Sequence, residues 1–351
     1  MIFMASVPKP GVQDARQDLY RRVEKLGFAP LWEVYHDLIP DEPKTPCKPA
    51  LWKWAEARAH LLEAGKLITA KEALRRVLIL QNPGMPGQSC VTQSLFSGYQ
   101  LILPGEIAPS HRHAQSALRF VLEGACAYTA VDGERTTMRP GDFIITPSWT
   151  WHDHGNPGAD PVIWMDGLDV PILRTFAAQF HEPFASEVQP VVRGEGASGA
   201  RFGNNLKPLG AAAPFGKTSP VFSYPYDRSR ETLATLAREG GPDPCHGWKM
   251  EYINPLTGGH AMPTIAAFIQ LLPKGFSTQP YRSTDGTVYS VVEGEGRVRI
   301  GAEEFAFGPR DAFVVPSWHP VEIRASAETV LFSFSDLPGQ EAMGLWRERR
   351  S

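Results

Sequence analysis

Three histidines, His111, His113 and His152, carry the chemistry legible in this sequence. His111 and His113 flank Arg112 in the triplet HRH. Alternate residues of a β-strand face the same side, so these two imidazoles point together and can take one ion between them. A later segment brings Gly141, then Pro147, then His152, with Asn156 four residues further on. Three neutral imidazoles leave three positions open on a six-coordinate ion, which suits ferrous iron with a bidentate substrate and O₂. Zinc also accepts three histidines and a water, so the ligands alone do not separate the metals.

Continuing the alternation from His113 puts Gln115, Ala117 and Arg119 on its face, and Arg112, Ala114, Leu118 and Phe120 on the other. An inward guanidinium without a partner is costly to bury, so an anion is expected beside Arg119. An internal carboxylate would serve. The favoured partner is a substrate carboxylate held by the Arg fork. On the preceding strand Phe96, Gly98 and Gln100 share a face. If that face is inward, Phe96 is a ring wall, Gln100 a polar contact and Gly98 leaves room for a flat ligand; core packing accounts for Phe96 about as well. His154, two residues after His152, also faces inward. A fourth ligand is one reading of it. The preferred one is an acid/base or hydrogen-bonding group oriented by Asp166.

The elements that must position these residues are short. Gly 32 and Pro 32 punctuate the chain densely, which favours short strands and turns. Apolar periodicity predicts helices over 12–26, 31–39 and 50–68. Thr69 and Glu72 have capping-box spacing for a further short helix. β-like runs begin at Arg76 and continue to about residue 170. Residues 171–184 read as helical. Residues 185–245 read mostly as connection, with one helix over 229–239. A second β-like block spans 250–336, and a short polar helix is expected over 340–349.

The two β blocks are related. Leu103-Pro104 aligns with Leu272-Pro273, Glu123-Gly124 with Glu293-Gly294, and Pro147-Ser148-Trp149 with Pro316-Ser317-Trp318, at an offset of 169 or 170. The second copy has no histidine where the first has His111 and His113, and Val321 stands where the first has His152. One metal site per chain is therefore expected, in the first copy, with His319 a surface or interface histidine. The expected organisation is a helical arm over 1–75, a metal-binding barrel over 76–170, a helix and linker over 171–245, a second barrel without ligands over 246–336, and a tail over 337–351.

Gly105 with His111 and His113, closing at Gly124, and Gly141 with Pro147, His152 and Asn156, resemble the two motifs of the cupin superfamily. Two departures stand out. Ala117 and Leu118 occupy the place of the motif's glutamate ligand, and Trp149 replaces a glycine of the second motif. The segments HRHAQSALRFVLEG and PSWTWHDHGN, with LWEVYHDLIP and RRVLILQNPGMPG, are similar to the gentisate 1,2-dioxygenase family, which includes salicylate and 1-hydroxy-2-naphthoate dioxygenases.

That resemblance implies an all-β, two-barrel (bicupin) core with an N-terminal helical arm, one Fe(II) per chain on His111, His113 and His152, O₂ as co-substrate, and a homotetramer. It also implies that Arg75, Gln100, Arg119, His154 and Asp166 contact or position the substrate. The implied reaction opens the ring of a 2-hydroxybenzoate between its carboxyl- and hydroxyl-bearing carbons. Family members commonly read LYAGLQ where this chain reads LFSGYQ. Phe96 cannot donate a hydrogen bond, which extends the expected substrates from gentisate to 5-substituted salicylates such as 5-nitrosalicylate.

With 35 Lys+Arg against 38 Asp+Glu, the chain has no basic field for a nucleic-acid backbone. Four scattered cysteines argue against a disulfide framework or a thiolate zinc site. No apolar run is long enough to span a membrane, and the start does not resemble a signal peptide, so a cytoplasmic protein is expected. Two other readings fit a three-histidine cupin: a zinc or manganese sugar-phosphate isomerase, and a non-enzymatic ligand-binding bicupin. Metal content separates them, with iron favouring the dioxygenase.

Overall fold

The computed structural model describes residues 11–350. The chain divides into two compact units, residues 1–44 and 45–351. In the first, α1 (Val12–Glu24) and α2 (Leu31–Leu38) form where apolar spacing predicts them. The Trp32 indole donates to the Tyr20 hydroxyl at 2.8 Å and ties the two helices together. Neither helix buries a residue, because two short helices have too little surface to cover each other's apolar faces.

The second unit opens with β1 (Ala50–Trp52), α3 (Trp54–Leu67) and α4 (Ala70–Ala73). The helix expected over 50–68 is therefore preceded by a strand. Thr69 and Glu72 form the capping box reciprocally. Leu74 follows in a conformation with φ 55°, which ends α4 and turns the chain into the first barrel.

That barrel contains β2 (Val77–Ile79), β3 (Phe96–Ile102), β4 (Ile107–His113), β5 (Ala117–Glu123), β6 (Tyr128–Val131), β7 (Glu134–Thr137), β8 (Phe143–Thr146), β9 (His152–Gly155) and β10 (Val162–Leu168). Then come α5 (Val170–Thr175), β11 (His181–Pro183), α6 (Ala197–Phe202), β12 (Ser223–Tyr224) and α7 (Tyr226–Glu239). The second barrel follows with β13 (Trp248–Glu251), β14 (Ala266–Leu272), β15 (Tyr281–Ser283), β16 (Thr287–Glu293), β17 (Gly296–Ile300), β18 (Glu303–Phe307), β19 (Ala312–Val315), β20 (Val321–Ala325) and β21 (Thr329–Ser335), and ends with α8 (Leu337–Ala342) and β22 (Glu348–Arg350).

Each barrel is a six-stranded sheet facing a five-stranded one. The first has β12-β8-β5-β10-β3-β2 against β11-β4-β9-β6-β7. The second has β1-β19-β16-β21-β14-β13 against β18-β17-β20-β15-β22. Residues 171–184 are not one helix. After α5 the chain extends and β11 pairs with β4, setting His181 opposite His113. Likewise the tail expected as a helix over 340–349 is α8 followed by β22, which pairs with β15. Backbone pairing to a sheet edge outweighs weak helical periodicity in both places.

The duplication thus extends beyond the barrels. Asp169 and Asp336 stand at the N-termini of α5 and α8, and each carboxylate accepts from a main-chain N–H of its own barrel, Ser116 at 3.0 Å and Gly286 at 2.8 Å.

The outer faces of the two six-stranded sheets meet in one core. Leu118, Phe120 and Met165 of the first pack with Val288, Phe332 and Phe334 of the second. Phe120 and Phe332 stack at 4.0 Å with rings 6° from parallel. Burying each such side chain contributes about 1.5–3 kcal/mol. α3 packs on this core through Trp54 and Leu61, with Trp54 edge-on to Tyr99 at 5.6 Å. Among the described residues no helix is long and apolar enough to cross a membrane.

Candidate active site

His111 and His113 lie on β4, and His152 on the neighbouring β9, with His111 and His152 directly paired. One ring nitrogen of each lies within 4.8 Å of the others, and among the described residues this is the one such group of His, Cys, Asp or Glu. Each Nδ1 faces a main-chain carbonyl two residues away: Pro109 at 3.1 Å, Gln115 at 2.9 Å and Thr150 at 3.0 Å. In the tautomer that donates Nδ1–H to that carbonyl, Nε2 of each ring is left for an ion. Nε2 of His152 is buried without a hydrogen-bond partner among the described residues. Burial pushes the His111 pKa down to about 3 and that of His113 to about 4, and lowers His152 well below the ordinary value, so all three imidazoles are neutral, as metal ligation requires. The donor set therefore fits a divalent transition metal. Ala117 and Leu118 stand where a glutamate ligand would, and Leu118 belongs to the core between the barrels.

Trp149 explains the other departure from the motif. It adopts φ 61°, the left-handed conformation a glycine takes without strain, and its N–H donates to the His113 carbonyl at 2.8 Å. Arg112 covers the Trp149 and Trp151 rings, 4.6 Å from each, and pairs with Glu182 at 2.6 Å. The outward residue between the two histidines thus clamps the turn that leads to His152.

Strand register sets Ile144, Arg119, Asp166 and Gly98 abreast across β8, β5, β10 and β3. Arg119 has 5% of its side chain exposed and Asp166 7%, and Nε stands 3.8 Å from Oδ1. The anion beside Arg119 in the structure is thus the internal carboxylate. The pair is loose, since Arg119 Nη1 donates instead to the Thr146 hydroxyl at 2.5 Å and Nε has no hydrogen-bond partner among the described residues. Burial draws both groups toward neutrality, Asp166 up to about 6 and Arg119 down to about 10, so both are charged at neutral pH.

Asp166 does not orient His154. Its Oδ1 accepts from the Trp164 indole at 2.9 Å, whereas His154 Nδ1 meets the Thr129 hydroxyl at 2.9 Å. His154 is fully buried, its Nε2 has no partner among the described residues, and it stands outside the three-histidine group.

Arg75, projected by the Leu74 turn, reaches the triad. Its Nη2 is 2.7 Å from the Pro109 carbonyl and 2.6 Å from His111 Nδ1. Gln100 is buried and Phe96 half-buried on β3. A Cβ on Gly98 would lie 2.6 Å from Val77 Cγ1 and 2.9 Å from the Leu78 carbonyl, so the glycine admits β2 to the sheet. Gln115 follows β4, and its carbonyl holds His113. Thr129, Thr146, Trp164 and His181, whose ring centre is 5.1 Å from that of His111, were not legible as site residues. Each reaches the site through a strand pairing, and no local spacing marks it.

The comparisons with known proteins agree with this geometry. The family described as "Cupin domain" matches residues 98–170. The chain is 54% identical to gentisate 1,2-dioxygenase 1 of Aquipseudomonas alcaligenes over 99% of its own length and 100% of that protein's. It is 34% identical to the 5-aminosalicylate 1,2-dioxygenase of a Comamonas species, over 94% and 89% of the two chains. The solved salicylate 1,2-dioxygenase of Pseudaminobacter salicylatoxidans superposes with a TM-score of 0.89 at 31% identity, covering 99% of both chains, and that enzyme has also been solved as its gentisate adduct. A three-histidine centre in the first of two cupin barrels, joined to relatives that match along almost the entire chain, places this protein in the gentisate and salicylate 1,2-dioxygenase family of ring-cleaving dioxygenases.

Proposed function

We propose that this chain is an Fe(II)-dependent dioxygenase that opens the ring of a 2-hydroxybenzoate, gentisate or a 5-substituted salicylate, between C1 and C2. The observation that carries the reading is the group of three neutral imidazoles, each held through Nδ1, beside the buried Arg119. His111, His113 and His152 would hold the iron. When bound, Fe(II) supplies open coordination positions at which the chelating substrate and O₂ are brought together.

The protein's own groups do the rest. Arg119 offers an unused Nε–H to the substrate carboxylate, and Arg75 supplies a second guanidinium on the His111 side. Asp166 keeps Arg119 charged before substrate arrives. The Thr129 hydroxyl fixes the His154 ring, leaving Nε2 to hold or pass a proton at a substrate oxygen. Phe96 forms a wall, Gln100 and Gln115 are polar contacts, and the apolar interior around Ile144 and Trp164 excludes water. The matched gentisate and 5-aminosalicylate dioxygenases support a 2-hydroxybenzoate as substrate. Cytoplasmic location and homotetramer assembly, as the family resemblance implies, are further parts of the proposal.

The test is anaerobic reconstitution with Fe(II), then O₂ uptake with gentisate, salicylate, 5-nitro- and 5-chlorosalicylate and 1-hydroxy-2-naphthoate. Uptake matched by loss of the ring absorbance, and absent in His113→Ala, is expected. No uptake on any of them with iron bound would overturn the reading. A clear preference for gentisate over every 5-substituted salicylate would remove the widened specificity argued from Phe96.

A further inference from the structure

The second barrel has lost the ligands but not the mouth. The pairing of His111 with His152 in the first barrel is matched by the pairing of Tyr281 with Val321 in the second. Ser283 takes the place of His113, since the Trp318 N–H donates to its carbonyl at 2.7 Å as that of Trp149 does to His113. Register across the sheet puts Tyr289, Ser333 and Phe268 where the first barrel has Arg119, Asp166 and Gly98. A metal has no imidazole set here. Yet a cavity of about 550 Å³ opens at this position, within the range of about 300–1,000 Å³ usual for small-molecule sites. His319, expected at a surface or interface, lines it half-buried.

The charges around the cavity are mostly committed. Asp243 pairs with Arg350 at 2.8 Å, and Glu251 with His260. Lys249 is the exception. Its Nζ lies 4.4 Å over the Phe268 ring and makes no hydrogen bond or ion pair among the described residues. Burial lowers its pKa against the opposing pull of the Asp285 and Glu251 carboxylates, and an anion hydrogen-bonded to Nζ would relieve more of that penalty. Facing it on the same wall, Asp285 accepts from the Trp346 indole at 2.9 Å through one oxygen and from the Thr287 hydroxyl at 3.4 Å through the other, whose second lone pair can take a donor such as a phenol.

We propose that this cavity binds a hydroxylated aromatic carboxylate without turning it over, the carboxylate on Lys249, the ring between Phe268 and the tyrosines, and a phenolic hydroxyl toward Asp285. The ligand class rests on the proposed function; the site itself rests on the cavity and on a lining ammonium that makes no hydrogen bond among the described residues.

The full-length Fe(II) protein, held anaerobic, is dialysed to equilibrium against 2,5-dihydroxybenzoate. Two equivalents per chain are expected for the wild type and for Lys249→Arg. Lys249→Met should weaken one of them about tenfold or more, as loss of a charge-assisted hydrogen bond does, with kcat unchanged. His113→Ala should keep the Lys249-dependent equivalent and the fluorescence quenching of Trp248 and Trp346, which line the cavity. One equivalent in the wild type and none in His113→Ala, or two that survive Lys249→Met, would overturn the site. No O₂ uptake and an empty first barrel, with the Lys249-dependent equivalent intact, would instead overturn the proposed function and leave the second-barrel site standing.

Discussion

The Arg75 guanidinium lies 2.6 Å from Nδ1 of His111. A guanidinium only donates, so in this geometry Nδ1 accepts and the ring proton sits on Nε2, the nitrogen an ion needs. Metal binding requires the opposite tautomer, with Nδ1–H donating to the Pro109 carbonyl 3.1 Å away. Arg75 and the metal therefore compete for His111. Arg75→Met should bind Co(II) about three- to tenfold more tightly, the worth of one hydrogen bond, while KM for substrate rises. Titration of the Co(II) visible spectrum checks the first effect and steady-state kinetics the second. Unchanged or weaker Co(II) binding would dismiss the competition.

Removing a ligand should act on the metal and not on the fold. His113 is half-buried on β4, outside the cores of both barrels. His113→Ala should lose metal affinity by more than the about 10–100-fold typical of an outer partner, with far-UV circular dichroism unchanged. Metal analysis after dialysis reads the loss.

Arg119 and Asp166 should separate stability from binding. Arg119→Met leaves a buried carboxylate without its counter-charge, at a cost of about 3–5 kcal/mol, and raises KM. Asp166→Asn added to it should recover most of the stability and none of the KM. Thermal unfolding and kinetics on the same three variants decide this, and a double mutant as unstable as the single would count against the pairing.

Packing between the barrels predicts a steric effect. A Cβ on Gly167 would sit 2.7 Å from Phe334 and 3.0 Å from Leu118. Gly167→Ala should destabilise by about 1–3 kcal/mol through overpacking, read as a lower urea midpoint.

Stability should also depend on pH through His260. Contacts with Glu251 and Glu341 raise its pKa from 6.5 to about 9. The folded state binds this proton more tightly than the unfolded one, so the contribution is fully present below pH 6.5 and is lost as pH rises through about 9. Urea midpoints at pH 6, 7.5 and 9 should fall across that window, and the part due to this group should vanish in His260→Gln.

Residues two apart on a strand share a face in any fold, so the spacing of His111 and His113 determined their common direction, and the repeats of Leu103-Pro104 at Leu272-Pro273, Glu123-Gly124 at Glu293-Gly294 and Pro147-Ser148-Trp149 at Pro316-Ser317-Trp318 determined that the barrel occurs twice. Those are properties of neighbours in the chain. The orientation of His154 by Thr129, the hold of Thr146 on Arg119, the strand at His181 and the reach of Arg75 to His111 came only with the tertiary structure. Each depends on which strands lie side by side and in what register, and that is set by the packing of the whole chain.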